Sequence, residues 1–552
     1  MACRSLLAAA SITAFSTTML AIPAGAQTVP QWKAEATQAA GAGNVGRAGD
    51  LLARAFEADR TDATLAYNAA CYHARAGNAD KALAELKLAI DAGYLDARST
   101  AADNDFATLR NDARFQALLA QMREKHDVEA KLYDSDALAS PYRENLSEDE
   151  KVAGLSKFWS EVKYNFIYVD TLKAIDWDRL YLEYLPKVRA TRSTAEYYKV
   201  LMALCARLKD GHTNVYPAPE VRNAVMARPL LSAHLVERRV LVRKVFDPAL
   251  QARGIVPGVE IVTVDGEPVK IYATRELAPY VSASTPQDEE RRVYTYSFLS
   301  GPIDVAPRVA FRTTAGKTIE LPLRRVTLDE YNKAVPNTPS FEFKMLPGNV
   351  AYVALNSFGD ASAANAFIAA FDRIAASSAL VLDVRNNGGG NSDVGYRVLA
   401  TLTDKPFETG RWETRNYRPS YRAWGRAMPN YAETEAALPS DPAHQYRKPV
   451  AVLTSNVTYS AAEDFSVTFD AMGRGIIVGE ATGGSTGQPL MFRLPGGGMA
   501  RVCTKADTYP DGRTWVGKGI QPTLKVVPTV VDVQKGRDTV LEAAVAALKK
   551  QI

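Results

Sequence analysis

The stretch PVAVLTSNVTYSAAEDF, residues 449–465, predicts a piece of the fold and a candidate site together. Its first part is a run of apolar and β-branched residues, which is typical of a strand buried on both faces. Apolar residues then recur at helical spacing from Ala462 to Met472, so a helix is expected to begin after Ser460. A strand followed directly by a helix is the repeating unit of an α/β fold.

Ser460 has two interpretations. Ser460 and Glu463 have the spacing of a capping box, in which the serine bonds the N–H of the third helical residue and the glutamate reaches back. Alternatively, Ser460 is a nucleophile, because a serine at a strand-to-helix turn has free backbone N–H groups beside it that can hold an oxyanion. The stretch by itself favours the cap, which is the commoner arrangement.

The C-terminal part of the chain continues the alternation of strands and helices. NVAYVALNSF (349–358) is a predicted strand, ASAANAFIAAFDRIAA (361–376) a helix, and ALVLDVR (379–385) a buried strand. We therefore expect an α/β core with a mainly parallel sheet over residues 329–552.

The glycine cluster NNGGGNSD (386–393) follows the predicted strand ALVLDVR directly. Consecutive glycines allow backbone N–H groups to approach a ligand with no Cβ in the way. A cofactor-binding loop is the weaker interpretation, because Gly388–Gly390 fit neither the dinucleotide fingerprint nor a P-loop.

The first part of the chain is internally repetitive. Residues 41–62 and 75–96 align at an offset of 34, with glycine, alanine and leucine matched at helical spacing. This period resembles tetratricopeptide repeats, which are predicted over 27–130 and are expected either to recruit a protein partner or to serve as a packing module. A helical subdomain is predicted over 131–228 from the apolar stripes that follow two Ser-x-x-Glu capping boxes.

Residues 229–328 change to a β pattern. RVLVRKVF (239–246) alternates like a strand, and ARGIVPGVEIVTVDGEPV (252–269) contains a strand ended by an Asp-Gly turn. The pattern resembles a PDZ domain, a class that binds extended peptides as an added strand. The fold class predicted for the whole chain is therefore multidomain α/β: helical repeats, a helical subdomain, a PDZ-like β domain and an α/β core.

The chain has five histidines, and only one has a distinctive setting. They are His73, His126, His212, His234 and His444. His212 lies in the polar turn LKDGHTN at the end of a predicted helix, where it is either a cation that favours the helix dipole or a general base.

Several short motifs together resemble one family. In chain order they are LKDGHTN (208–214), VLDVRNNGGG (381–390), TYSAAEDF (458–465), GEATGGSTGQ (479–488) and GKGIQPT (517–523). Over roughly residues 140–530 this order resembles the tail-processing, or C-terminal processing, serine peptidases, in the branch similar to the tricorn protease core. The resemblance implies an α/β peptidase that needs no metal or organic cofactor.

The resemblance also implies roles for individual residues. Ser460 matches the nucleophile of the family and His212 the histidine of the tricorn-like branch. The backbone N–H groups of Ala461 and of Gly389 or Gly390 match the oxyanion hole. This agrees with the chemistry, since a serine hydroxyl needs a base to take its proton and fixed N–H donors for the tetrahedral oxyanion.

The chain departs from the family pattern at three places. The processing branch has a lysine base where TGGSTGQ carries Ser485, so a Ser–Lys dyad is not expected. The tricorn-like branch has a serine where Gly211 stands, and a glutamate before the closing glycine motif that is missing here. The group that orients His212 is therefore open, with Asp511 and Asp210 as candidates.

The N-terminus predicts export. Residues 1–26 have an early arginine, an apolar run and a small-residue stop, which is the pattern of a signal peptide cleaved after Ala26. We therefore expect a periplasmic or secreted protein with no stable membrane anchor. Cys71, Cys205 and Cys503 then remain, and they allow at most one disulfide bond.

The charge balance and the motifs limit the functions to consider. A formal charge of +4 over 552 residues gives no reason to expect a nucleic-acid partner. The insertion 404–448 mixes arginines and aromatic residues, and we interpret it as a lip of the active site. The function predicted is a serine endopeptidase acting on peptides or proteins through a Ser–His acyl-enzyme mechanism. The alternatives are a non-catalytic ligand- or peptide-binding protein on the same scaffold, and an esterase that uses the same residues.

Overall fold

The computed structural model describes residues 27–133, 135–433 and 437–552. The predicted signal peptide, residues 1–26, lies outside the described residues. The chain divides into two compact units, Met1–Asp127 and Val128–Ile552. Among the described residues, no helix combines the length and the apolar character needed to cross a bilayer.

The first unit consists of helices that pack in sequence order. Small residues at matched repeat positions, Ala48 and Ala82 or Ala55 and Ala89, are fully buried, which lets successive helices approach closely. Large partners at the matched positions Leu52 and Leu86 complete the core. The helices are Val29–Gly41, Val45–Ala58, Ala63–Arg75, Ala79–Asp91, Ala97–Ala102, the 3₁₀ segment Asn104–Leu109, and Ala113–Tyr133, which continues into the second unit.

A helical region opens the second unit. Ser147 caps its first helix in a capping box with Glu150, as the sequence predicts, and Ser193 caps the last helix through the N–H of Glu196. The apolar stripes of these helices are buried against one another. The helices are Glu148–Asn165, Val169–Ala174, Trp177–Arg189 and Thr194–Ala206.

The following β region forms an antiparallel sheet. Its strands are Leu231–Val236, Arg239–Val245, Glu260–Val264, Arg308–Arg312 and Thr318–Pro322, in this spatial order. The predicted Asp265-Gly266 turn is present, with positive φ at both residues. Helical segments pack against the sheet, and they are Pro248–Ala252, Val269–Glu276, Pro286–Arg291 and the π-helical turn Arg292–Tyr296.

A six-stranded sheet forms the core of the last region. Its spatial order is Leu524–Lys525, Ile476–Gly479, Val450–Thr454, Ala379–Asp383, Val350–Leu355 and Phe341–Leu346. The first five strands run parallel and Phe341–Leu346 is antiparallel. Apolar clusters cover both faces of the sheet, which is why its strands read as continuous apolar runs. The main helices around it are Ser362–Ala369, Phe371–Ala375, Ser392–Leu399, Ala461–Ala471 and Thr539–Lys549.

The helix predicted over 361–376 is broken in the structure. It ends at Ala369, because Ala370 adopts φ −92° and ψ 0°, and a new helix starts at Phe371. The restart places the Phe371 ring 5.0 Å from the ring of His444. The break therefore lies in a segment whose residues have continuous helix propensity.

Two small antiparallel sheets complete the second unit. One joins Asn214–Tyr216, Met499–Cys503 and Pro489–Arg493, and the other joins Asn430–Glu433, Arg411–Arg415 and Lys505–Thr508. The first sheet fixes the chain just after His212. In the second sheet, residues 411–433 of the insertion form a hairpin.

The substitution Gly475→Ala tests how closely the chain at Gly475 approaches the neighbouring strand Val450–Thr454. A Cβ at this position would lie 2.1 Å from the carbonyl oxygen of Val450 and 2.9 Å from the Phe469 ring. Gly475→Ala should therefore lower the free energy of unfolding by about 1–3 kcal/mol, as overpacking does in other cores. Thermal unfolding of the full chain measures the change. Gly388→Ala is the control, since its Cβ would meet nothing within 4 Å, and equal melting temperatures for the two variants would contradict the predicted packing.

Candidate active site

The parallel sheet brings two predicted motifs to one edge. Strands Ala379–Asp383 and Val450–Thr454 are neighbours, with Asp383 opposite Leu453. The glycine cluster follows the first strand and the Ser460 turn follows the second. Because ligand sites in α/β folds lie beyond the carboxyl ends of the strands, this edge is the place to look for a site.

Ser460 lies in a strained turn at the start of its helix. Its backbone has φ 54° and ψ −128°, and a positive φ is unfavourable for a residue other than glycine. Ser460 makes no side-chain cap hydrogen bond, and its Oγ lies 3.2 Å from Nε2 of His212. The hydroxyl therefore faces a potential base.

His212 is buried and held at both ring nitrogens. Its Nδ1 lies 2.8 Å from Oγ of Ser485, on the opposite side of the ring from Ser460. The imidazole stacks on the ring of Tyr459, with centroids 5.1 Å apart and planes inclined by 7°. If Nδ1 donates to Ser485, Nε2 is left with a lone pair directed at the Ser460 hydroxyl, which is the tautomer that a general base requires.

Glu463 holds the loop that carries Ser485. Its fully buried carboxylate accepts hydrogen bonds from Thr482 Oγ1 at 2.5 Å, from the Gly484 N–H at 2.7 Å and from the Ser485 N–H at 3.0 Å. It also reaches back to the Ser460 N–H at 3.3 Å, which is the glutamate half of the predicted capping box. Burial raises the pKa of Glu463 to about 8, although these hydrogen bonds oppose the rise.

Arginines surround the histidine on its Tyr459 side. Arg292 donates to the Tyr459 hydroxyl at 2.9 Å and to the Gly211 carbonyl at 3.0 Å, and Arg291 lies 4.4 Å over the Tyr459 ring. Burial lowers the pKa of His212 well below its usual range, and the charges of Arg501 and Arg292 lower it further. The imidazole is therefore neutral at neutral pH and ready to accept a proton.

Gly211 stands where the tricorn-like branch has a serine, and the structure gives a physical reason. A Cβ at this position would lie 1.8 Å from the Tyr459 hydroxyl. A serine is therefore incompatible with this packing of Tyr459. The hydroxyl that meets Nδ1 of His212 comes instead from Ser485, 273 residues further along the chain.

The glycine loop packs directly against the Ser460 turn. A Cβ on Gly389 would lie 2.7 Å from Cβ of Ser460, and one on Gly390 would lie 2.1 Å from the Phe358 carbonyl oxygen. Both glycines have positive φ, at 101° and 138°. Side chains at these positions would therefore collide with the site, which explains the need for glycine.

The predicted oxyanion donors differ in their availability. The Gly389 N–H donates to Oδ1 of Asn387 at 2.9 Å. The N–H groups of Ala461 and Gly390 have no acceptor within the described residues. Of the three predicted donors, Ala461 and Gly390 are therefore the two that are open to a ligand.

Neither predicted aspartate lies against the His212 ring. Asp511 pairs with Arg513 at 2.7 Å on the surface, and Asp210 is buried and accepts from Thr213 Oγ1 at 2.6 Å. The side chain that contacts Nδ1 of His212 is that of Ser485. The sequence did not predict that Ser485 orients His212, although Ser485 was identified as the residue that replaces the lysine of the processing branch.

Comparison with known proteins agrees with this geometry. Residues 349–526 match the model of peptidase family S41, and residues 149–206 match the tricorn protease C1 domain. The S41 match spans 178 of the 552 residues. The glycine loop, the Ser460 turn and Ser485 lie within it, whereas His212 lies just beyond the C1 match.

Two curated relatives and a solved structure are similar over larger parts of the chain. The chloroplastic C-terminal processing peptidase of Tetradesmus obliquus is 27% identical over 291 residues, 51% of this chain and 55% of that protein. The carboxyl-terminal-processing protease of Picosynechococcus sp. is 30% identical over 162 residues, 29% of this chain and 35% of that protein. The chain thus spans about half, or less, of the length of these relatives.

The crystal structure of mature CPAF superposes with a TM-score of 0.56 at 16% identity and covers 73% of this chain and 98% of that one. At this identity the likeness is one of fold.

Glu463→Gln tests whether Glu463 organises the site. The glutamine amide would place N–H donors against the Thr482, Gly484 or Ser485 donors and leave a buried group unsatisfied, which costs about 1–3 kcal/mol in the free energy of unfolding. Urea unfolding measures the loss. Glu542→Gln is the control, because that carboxylate lies on the surface and pairs with Arg537. An equal, small effect for both variants would contradict the proposed role of Glu463.

Proposed function

We propose that the protein is an exported serine endopeptidase that cleaves peptide or protein substrates through an acyl-enzyme. The observation that carries the proposal is the line of contacts from Ser460 Oγ to His212 Nε2 and from Nδ1 to Ser485. A nucleophile, a base and a group that orients the base are the parts that serine peptidases share. The S41 match supports the same reaction class.

In the first half of the reaction, Nε2 of His212 takes the proton of the Ser460 hydroxyl as Oγ attacks the carbonyl carbon of the scissile peptide bond. The tetrahedral oxyanion accepts hydrogen bonds from the free N–H groups of Ala461 and Gly390. When the carbon–nitrogen bond breaks, the imidazolium returns the proton to the leaving amine, and an ester on Ser460 remains.

In the second half, a water molecule gives a proton to the neutral His212 and attacks the ester carbonyl. Collapse of the second tetrahedral intermediate releases the carboxylic acid and returns the proton to Ser460. Ser485 accepts a hydrogen bond from Nδ1 throughout, and so stabilises the imidazolium while it exists. Ser485 acts through His212 and is therefore a positioning residue.

The other regions have proposed roles around this site. The PDZ-like region 229–328 would hold an extended peptide, and the tetratricopeptide-like repeats 27–130 would recruit a protein partner. The predicted signal peptide 1–26 supports action in the periplasm or outside the cell. No step requires a metal ion or an organic cofactor.

Ser460→Ala tests the nucleophile. The variant should lose peptide hydrolysis and labelling by a fluorophosphonate probe, because no other hydroxyl lies against Nε2 of His212 among the described residues. Replacing a serine at a helix start changes the free energy of unfolding by only about 0.5–2 kcal/mol, so the variant should stay folded. Circular dichroism checks the fold, and unchanged turnover in the folded variant would exclude Ser460 as the nucleophile.

A second set of variants tests whether His212 or a lysine is the general base. His212→Ala should reduce turnover by several orders of magnitude. Lys505→Ala and Lys518→Ala, at the nearest lysines downstream of Ser460, should change it no more than a few-fold. Loss of activity in a lysine variant with retention in His212→Ala would replace the histidine mechanism by a Ser–Lys dyad.

The pH dependence of probe labelling tests Ser485. Labelling needs neutral His212, and because the pKa of His212 is lowered, the rate should rise at a pH below the ordinary histidine range and then level off. Ser485→Ala removes an acceptor that stabilises the imidazolium, so the rise should move to still lower pH while kcat falls and KM changes little.

Ser485→Thr keeps the hydroxyl and is the matched control, which should recover the original profile. A loss of kcat in Ser485→Ala with no movement of the pH profile would contradict the positioning role.

A further inference from the structure

The insertion after the glycine loop forms a basic hairpin, defined here as residues 411–433. Strands Arg411–Arg415 and Asn430–Glu433 pair as an antiparallel ladder, with Arg415 opposite Asn430. The short helix Pro419–Ala423 lies in the connection between them. The tip of the hairpin, residues 416–429, contacts the helix Glu148–Asn165 through Tyr417, whose ring lies 5.3 Å from the ring of Tyr164.

The tip carries charge of one sign. Residues 414–432 contain no aspartate, glutamate or lysine, and their four arginines are Arg415, Arg418, Arg422 and Arg426. Arg418, Arg422 and Arg426 are exposed. No carboxylate whose side chain the structure describes forms an ion pair with any of the four. The positive charge of the tip is therefore available to a partner.

Aromatic rings support the exposed guanidinium groups. Arg426 lies 4.9 Å over the Trp424 ring and 5.8 Å over the Tyr421 ring, and Arg418 lies 5.2 Å over the Tyr421 ring as well. Trp424 is 63% exposed. A guanidinium that stacks on a ring keeps its N–H edge free, and that edge matches a carboxylate with two parallel hydrogen bonds.

The backbone of the tip holds this stack in place. After the short helix, the Gly425 N–H bonds the Arg422 carbonyl and the Arg426 N–H bonds the Tyr421 carbonyl at 2.8 Å, while Gly425 has a φ of 65°. This is a Schellman motif, which needs glycine at the left-handed position. It turns Arg426 back over the two rings, so less side-chain entropy is lost when a partner binds.

The base of the hairpin is connected to the candidate active site. Thr414 donates to the carbonyl of Thr504 at 2.7 Å, and the preceding residue, Cys503, donates its N–H to Thr213 at 3.0 Å. Thr213 follows His212 in the chain. Arg501 adds a positive charge beside His212, since it donates to the Gly211 carbonyl and to Asn214 Oδ1, whereas Arg292 is paired with the buried Asp288.

We propose that the basic hairpin binds an acidic segment of the polypeptide substrate and so makes the enzyme selective for substrates with carboxylates near the cleavage site. The inference rests on the proposed peptidase function. Charge complementarity supports an anionic occupant. An acidic polypeptide fits better than a lipid surface, because guanidinium groups cover faces of Tyr421 and Trp424 that would otherwise enter an apolar layer.

The test measures binding separately from cleavage. The full chain carrying Ser460→Ala is titrated against a fluorescent peptide rich in glutamate, and against the same peptide with glutamine at every glutamate. Fluorescence anisotropy should give a dissociation constant about tenfold lower for the acidic peptide at low salt, since each exposed charge pair contributes modestly. The preference should shrink as the salt concentration rises.

The decisive variant combines Arg418→Gln, Arg422→Gln and Arg426→Gln, and it should remove the preference for the acidic peptide. Its dissociation constant for the neutral peptide should change by no more than about two- to three-fold, because mutations at sites without a shared partner have nearly independent effects. The matched control, Arg54→Gln with Arg98→Gln and Arg123→Gln, removes the same charge from exposed positions elsewhere and should keep the preference. Circular dichroism confirms that both triple variants are folded. Equal binding of the two peptides, or equal loss in both variants, would overturn the proposal.

Two further outcomes separate the rival explanations. Binding of the chain to phosphatidylglycerol vesicles, through the same arginines and without a preference between the peptides, would overturn the proposal in favour of a membrane surface. If the wild-type chain cleaves neither peptide but Ser460→Ala still prefers the acidic one, the binding surface stands and the proposed peptidase function fails.

Discussion

The buried carboxylate of Glu463 is the interaction on which the site depends. It accepts hydrogen bonds from the N–H groups of Ser460, Gly484 and Ser485 and from the Thr482 hydroxyl, and so joins the helix start to a loop that follows the next strand. A buried acceptor with this many donors is costly to disturb, because every lost bond leaves a buried polar group unsatisfied. This carboxylate, together with the hydrogen bond from the Ser460 N–H to the Ser485 carbonyl at 3.2 Å, therefore sets the spacing between Ser460 and Ser485.

His212 lies between Ser460 and Ser485, with one ring nitrogen facing each serine hydroxyl. Its ring is buried and lies near arginines, and both features favour the neutral imidazole, while the Tyr459 ring stacks on it and fixes its plane. A neutral base is what the proposed reaction needs at its first step, whereas the imidazolium that follows is stabilised by the Ser485 oxygen. The site thus combines a low-pKa base with a neutral positioning group in place of a carboxylate.

The substitutions relative to the family pattern are coupled through packing. Gly211 leaves the space that the Tyr459 hydroxyl fills, and Arg292 bonds both that hydroxyl and the Gly211 carbonyl. With no room for a serine before His212, the hydroxyl at Nδ1 is supplied from the loop held by Glu463.

The sequence by itself determined the local elements: the strand and helix around Ser460, the glycine loop, the capped helices and the turn that carries His212. These follow from periodicity, capping and glycine conformation, which act over a few residues. Only the tertiary structure decided that Ser485 meets His212, that Asp511 and Asp210 do not, and that Asn387 occupies the Gly389 N–H. Those contacts depend on which loops the parallel sheet brings to one edge. The spacing of nearby residues does not reveal them, because it does not specify which distant strands pair.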